Sequence, residues 1–313
     1  MADGDRRALA RAISLVESRD PRGEAVVRDL YPSTGRALAI GVTGPPGVGK
    51  SSLVSALVGH VRAGGATVGV ISVDPSSPFT QGALLGDRIR LSEHFLDPGV
   101  YIRSMGTRGH LGGLAEATLQ ALLLLDASGK DVVFLETVGT GQSEVEVAGI
   151  ADLVLLVLMP GSGDSVQALK AGIMEIPDLI AVNKSDHPGA EAMVSAVRSV
   201  LGLEPDPARR PGILRTTATS GEGVAALWEA LEACRTRLEA AGGLIDRRRR
   251  NLAAEVVGLA ARRLRRRVEA AMEEDAEMRE LVEAVKRREV DPLTAVAALV
   301  ARVTGGAGAT GPR

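Results

Sequence analysis

Aromatic residues are scarce: three Phe, two Tyr and one Trp make up 2% of the 313 residues. The core must therefore be aliphatic, and little is left for base stacking on exposed rings. There is one cysteine, Cys234. One thiol excludes an internal disulfide and a cysteine-built metal cage. Its spacing from Leu227, Leu231 and Leu238 places it on the apolar face of a helix. No apolar run approaches the ~18 residues of a membrane span. The start, MADGDRRALARA, lacks the apolar centre of a signal peptide, so a soluble cytoplasmic protein with no membrane partner is expected. No charge sign dominates, with 37 basic and 39 acidic residues. Net charge gives no attraction to nucleic acid.

What is present begins at residues 38–52, LAIGVTGPPGVGKSS. An apolar run, Leu38 to Val42, enters a glycine-rich turn. An amphipathic stretch, Leu53 to Val61, leaves it. Gly44-Pro45-Pro46-Gly47-Val48-Gly49-Lys50-Ser51 fits G-x-x-x-x-G-K-[ST] at each position, in the strand–loop–helix context that the motif requires. The glycines let the backbone turn tightly and aim its N–H groups at phosphate oxygens. The helix start, with Ser52 in its first turn, adds partial positive charge. Lys50 is expected to reach the β- and γ-phosphates and the Ser51 hydroxyl to hold Mg²⁺.

Further apolar runs end in polar loops: Thr67–Val73 before Asp74, Val100–Arg103, Asp131–Leu135 before Glu136-Thr137-Val138-Gly139, Ala151–Leu158 before Met159 to Asp164, and Asp178–Val182. Arg215–Ala218 reads as a last strand end. Ligands sit at the carboxyl ends of strands in open α/β sheets. Asp74 and Glu136 are thus candidates for the metal, and the Gly139 N–H for the γ-phosphate. Glu stands where many phosphate-loop proteins carry Asp, and its extra methylene changes its reach. Pro78 to Arg90, which includes Asp87, is polar and glycine-bearing, as a switch loop is.

Asn183-Lys184-Ser185-Asp186 selects the nucleotide. An Asp carboxylate accepts hydrogen bonds from guanine N1–H and N2–H₂, a donor pair that adenine lacks. Asn183 adds base contacts and the stem of Lys184 covers the ring. A backbone N–H near Thr217-Ala218 is expected to meet guanine O6. GTP or GDP with Mg²⁺ is the implied ligand.

Residues 5–30 read as two helices broken at Pro21. Residues 246–270 carry nine arginines against three acids. Leu252, Val256, Leu259, Leu264, Val268 and Met272 make an apolar stripe through them. An arginine run is usually a solvated helix face, and the stripe is better explained by self-association than by nucleic acid. Asp291-Pro292 starts a final helix. The tail from Thr304 is Gly-rich and expected to be disordered.

The strings VTGPPGVGKSSL, VDPSSPFTQGALLGDRIR, RGHLGGL, ETVGTGQSE, LMPGSGD and VNKSD, in that order, resemble the MeaB/ArgK-type GTPases, chaperones of cobalamin-dependent acyl-CoA mutases. The resemblance covers residues 5–304. It implies an α/β P-loop NTPase with a mostly parallel central sheet flanked by helices. N-terminal helices and a C-terminal helical dimerisation arm complete it, the class being shared with signal-recognition-particle and nickel-insertion GTPases. The implied divisions are 1–34 (helical extension), 35–242 (GTPase domain), 243–304 (arm) and 305–313 (tail). Carried over residue by residue, Lys50 and Ser51 serve phosphate and Mg²⁺. Asp74, Asp87 and Glu136 cluster round the metal and the attacking water. Asn183, Lys184 and Asp186 read the base. Asp164 and Lys170 belong to a further switch loop that signals to the mutase. The resemblance also implies a homodimer joined through the arm. Thr140, in place of an aliphatic residue, and Thr217-Ala218, in place of Ser-Ala, depart from the pattern. A nickel metallochaperone and a kinase linked to amino-acid transport are the alternative readings.

Overall fold

The computed structural model describes residues 5–74, 91–106, 113–137, 149–165 and 176–305, and of residues 74 and 113–115 only the backbone. Seven strands form one sheet: β1 (Leu38–Thr43), β2 (Val68–Asp74), β3 (Val100–Gly106), β4 (Val132–Thr137), β5 (Leu153–Leu158), β6 (Leu179–Val182) and β7 (Gly212–Arg215). Their order is β3-β2-β4-β1-β5-β6-β7, and every neighbouring pair is parallel. β1, β4, β5 and β6 are buried at every residue. That explains why they read as continuous apolar runs rather than as alternating ones. The chain steps outward from β1 to β2 and β3, returns to β4, then crosses to β5. The strand order therefore reverses beside β1, and a crevice opens at its carboxyl end.

Helices cover both faces. α1 (Arg6–Glu17) and α2 (Pro21–Leu30) precede the sheet, α3 (Lys50–Ala63) follows β1, and α4 (Gly113–Ala127) precedes β4. α5 (Ala190–Leu201) and α6 (Val224–Ala240) follow β6 and β7. Leu53, Leu57, Val61 of α3 and Leu227, Leu231, Cys234 of α6 pack on Ile40, Val42, Phe134, Leu155 and Val157. Cys234 is thus a core side chain, as its spacing implied. On the opposite face Leu9, Ile13 and Val16 of α1 join Ala121 and Leu125 of α4 against Ala39, Ile71 and Leu135. The break at Pro21 is real. Asp20 caps α2, accepting from the Arg22 N–H at 2.9 Å, and proline takes the first turn, where its missing donor costs nothing.

The last strand differs from expectation. β7 spans Gly212–Arg215, not 215–218, and after it Thr217 makes a single antiparallel bridge to Glu222. β7 is an edge strand with no fully buried residue, so it carries only a weak apolar signal.

The chain divides into two compact units, Met1–Asn251 and Leu252–Arg313. α7 (Gly243–Glu274) begins in the first unit. Two of its opening arginines, Arg247 and Arg248, are turned from solvent into ion pairs, while Arg249 and Arg250 stay exposed as a solvated face is. Arg248 grips Asp152 with two hydrogen bonds (2.7 and 2.6 Å) and donates to the carbonyls of Gly35 and Ala37. Arg247 pairs with Asp178 at 2.7 and 2.9 Å. Asp178 precedes β6 and Asp152 precedes β5, so the clamp holds the amino ends of the strands, opposite the crevice. In the second unit α8 (Ala276–Lys286) packs on α9 (Pro292–Thr304), and Met278, Ala284, Ala295 and Leu299 are their buried residues. Asp291 caps α9, accepting from the N–H groups of Leu293 and Thr294. No helix among the described residues is long and apolar enough to cross a membrane.

Asp152 is 5% exposed. Removing one partner of a buried ion pair strands the other, so Asp152→Ala is expected to lower the unfolding free energy by about 3 kcal/mol in a urea titration. Arg249→Ala, at an arginine that is 78% exposed, is expected to change it by under about 0.5 kcal/mol.

Candidate functional site: a phosphate loop beside a guanine-type loop

Between β1 and α3 the chain takes three left-handed turns, with φ of 139° at Gly44, 76° at Gly47 and 92° at Gly49. Two of these glycines are also closed in by their neighbours. A Cβ on Gly44 would lie 2.1 Å from the Val157 carbonyl, and one on Gly49 would lie 2.5 Å from Asn183 Nδ2. Val48 is fully buried in the core and pins the middle of the loop, while Pro46 and Gly47 are exposed. Lys50 opens α3 with its ammonium folded back over the loop, donating to Gly44 O at 2.6 Å and Pro45 O at 2.8 Å. Ser52 follows in the first turn.

Ser51 is buried, and its hydroxyl donates to Glu136 Oε1 at 2.5 Å. Glu136 lies within β4, not beyond its end. It is paired to Val42 on one side and Ser72 on the other and is 2% exposed. Its second oxygen accepts a longer bond from Ser72, at 3.4 Å. Asp74 ends β2 opposite Gly106; its side chain lies outside the described residues. Asp87, Gly139, Thr140 and Lys170 lie wholly outside them. Asp164 is exposed in the helical turn at 163–165 that follows the loop after β5. No group of three or more His, Cys, Asp or Glu is gathered among the described residues.

The second loop meets the first directly. Asn183 follows β6, and its Nδ2 donates to Val48 O at 2.9 Å. Its Oδ1 accepts from the Ala218 N–H at 3.1 Å and the Thr216 hydroxyl at 3.2 Å. Lys184, left-handed at φ 56°, donates to Gly47 O at 2.9 Å. Ser185 ties to Thr217, hydroxyl to hydroxyl, at 3.0 Å. Asp186 is exposed. The structure therefore brings Asn183 and Lys184 against Val48 and Gly47, with Ala218 joined to them through Asn183 and Thr217 through Ser185. It differs from expectation at the amides: Ala218 N–H is taken by Asn183 and Thr217 N–H by Glu222 O. Asn183 holds two loops together in addition to any contact with a base. Thr216, Ser185 and Ser72 were not foreseen, because each acts through a cross-strand neighbour that spacing along the chain does not reveal.

The sequence model of the family described as methylmalonyl-CoA mutase-associated GTPase MeaB matches residues 9–273. The chain belongs to the MeaB family. It is a P-loop GTPase that binds GTP and GDP. Among MeaB-type relatives, a putative GTPase of Pyrococcus abyssi is 46% identical over 98% of this chain and 95% of its own. GTPase ArgK of Escherichia coli is 39% identical over 78% and 76%. The mitochondrial methylmalonic aciduria type A homolog of Mus musculus is 34% identical over 79% and 64%. A solved structure described as a LAO/AO transport system kinase superposes with TM-score 0.72 at 28% identity, covering 97% of this chain and 95% of that one.

Asn183→Ala leaves the Val48 carbonyl and the Ala218 amide without their partner. GTP affinity is expected to fall about tenfold or more by titration calorimetry, with a stability loss of about 1–3 kcal/mol in urea.

Proposed function

We propose that this chain is a cytoplasmic, Mg²⁺-dependent GTPase switch that serves a B12-dependent acyl-CoA mutase. GTP binding and hydrolysis would gate loading or protection of the mutase's adenosylcobalamin. The junction of the two loops through Asn183 carries the nucleotide half of this reading, and family membership carries the partner half. The phosphates take the backbone N–H groups of residues 47–51 at the head of α3. Lys50 gives up its two loop carbonyls for the β- and γ-phosphate oxygens, exchanging neutral acceptors for charged ones. The guanine edge meets the Asp186 carboxylate, and the Lys184 stem flanks the ring. An adenine there would leave the carboxylate unmatched, at a cost of roughly 1–3 kcal/mol.

The Ser51 hydroxyl and the Glu136 carboxylate, buried side by side, are hard oxygen donors of the kind that suits Mg²⁺. Ser51, with Asp74, Asp87 and Glu136, would hold the ion. When bound it neutralises charge on the transferring phosphoryl group. Glu136, fixed in the ladder of β4, keeps its carboxylate toward the nucleotide, while Gly139, Asp164 and Lys170 belong to the loops that respond to the γ-phosphate. No side chain among the described residues stands out as a base for water, so basal turnover is slow and rises when a partner orders those loops. Phosphate release from GTP, measured alone and with purified B12-dependent acyl-CoA mutases, is expected to accelerate with the cognate one. Unchanged turnover with each of them would remove the partner half of the proposal.

The same family membership points to a homodimer joined through residues 243–304. Leu252, Val256 and Leu264 of the α7 stripe are exposed on the single chain, in support of that reading. Val256→Glu is expected to shift the sedimentation coefficient from dimer to monomer while leaving GTP affinity unchanged.

A further inference from the structure

Three polar side chains lie in one row across the α3 face of the sheet, where the positions before them are apolar. Ser104 of β3 pairs with Ser72 of β2, and Ser72 with Glu136 of β4. The positions immediately before them on the same face are Ile102, Val70 and Phe134, all packed in the core. Ser72 is 1% exposed and Ser104 8%. Burying hydroxyls costs free energy unless they are hydrogen-bonded. Yet the Ser104 hydroxyl has no partner among the described residues, and the Ser72 bond to Glu136 Oε2 is long, at 3.4 Å. Glu136 meanwhile holds Ser51 tightly, at 2.5 Å.

We propose that Ser72, backed by Ser104, is a positioning residue for Glu136 in the nucleotide-bound state. The inference rests on the proposed role of Ser51 at Mg²⁺. When the Ser51 hydroxyl turns from Glu136 to the ion, the buried carboxylate loses the shorter of its two serine bonds. Ser72 is the donor already beside it, fixed in the neighbouring strand about 4.8 Å away. As Ser72 tightens on Glu136, its own oxygen becomes the better acceptor, and the Ser104 hydroxyl gains the partner that it now lacks. A hydroxyl that accepts also donates more strongly, so the series Ser104 to Ser72 to Glu136 reinforces itself. The carboxylate then keeps its orientation while Ser51 turns to the ion. The unpartnered Ser104 is accounted for as one end of a row that closes when nucleotide and ion arrive.

The test is equilibrium binding of a fluorescent GDP analogue, with Mg²⁺ titrated and, separately, in EDTA. Wild-type affinity is expected to rise with Mg²⁺. Ser72→Ala is expected to cut that rise roughly tenfold, the equivalent of one hydrogen bond to a charged group, and to leave affinity in EDTA unchanged. The EDTA arm also shows that the variant is folded. Ser104→Ala is expected to cut the rise in the same direction by less. An undiminished Mg²⁺ effect in Ser72→Ala, or an equal loss with and without the ion, would overturn the role of Ser72 alone. Absence of any Mg²⁺ effect in the wild type would overturn the metal assignment and, with it, this inference.

Discussion

Both ends of the Asn183 amide are committed inside the protein. The amino group holds the phosphate loop at Val48, and the carbonyl oxygen gathers the Ala218 amide and the Thr216 hydroxyl. Residues separated by more than 160 positions along the chain thereby share one small polar knot at the crevice beside β1. The sheet sets the distance between β1 and β6, and the amide sets the relation of the loops that leave them. Gly49 is glycine partly for this reason, since a side chain there would collide with the same amide. The loop that follows β1 and the loop that follows β6 are thus joined by one side chain.

Much of the fold and of the loop chemistry was legible in the chain. Phosphate cradles depend on consecutive residues, so Gly44 to Ser51 announces itself without any tertiary information. β1, β4, β5 and β6 were visible because strands buried on both faces need unbroken aliphatic runs. β7 was displaced because an edge strand need not be apolar. The Ser104, Ser72 and Glu136 row was invisible for a different reason. It exists only once parallel register places three distant residues side by side, and no periodicity in one strand encodes the alignment of its neighbours.

The arginine run gives the same lesson from the other direction. Composition alone treats Arg247 to Arg250 as one charged block. The fold separates them: Arg247 and Arg248 are bound to Asp178 and Asp152, while Arg249 stays in water. Neither aspartate looked unusual in sequence, because each becomes a partner only when the strand it precedes comes to lie beside α7.

Val48 carries one more consequence. Because its side chain is rooted in the aliphatic interior, the cradle for phosphate is built by the core and not by the ligand. The same residue is gripped through its backbone, since its carbonyl accepts the Asn183 amide, so the middle of the loop is fixed from below and from the side.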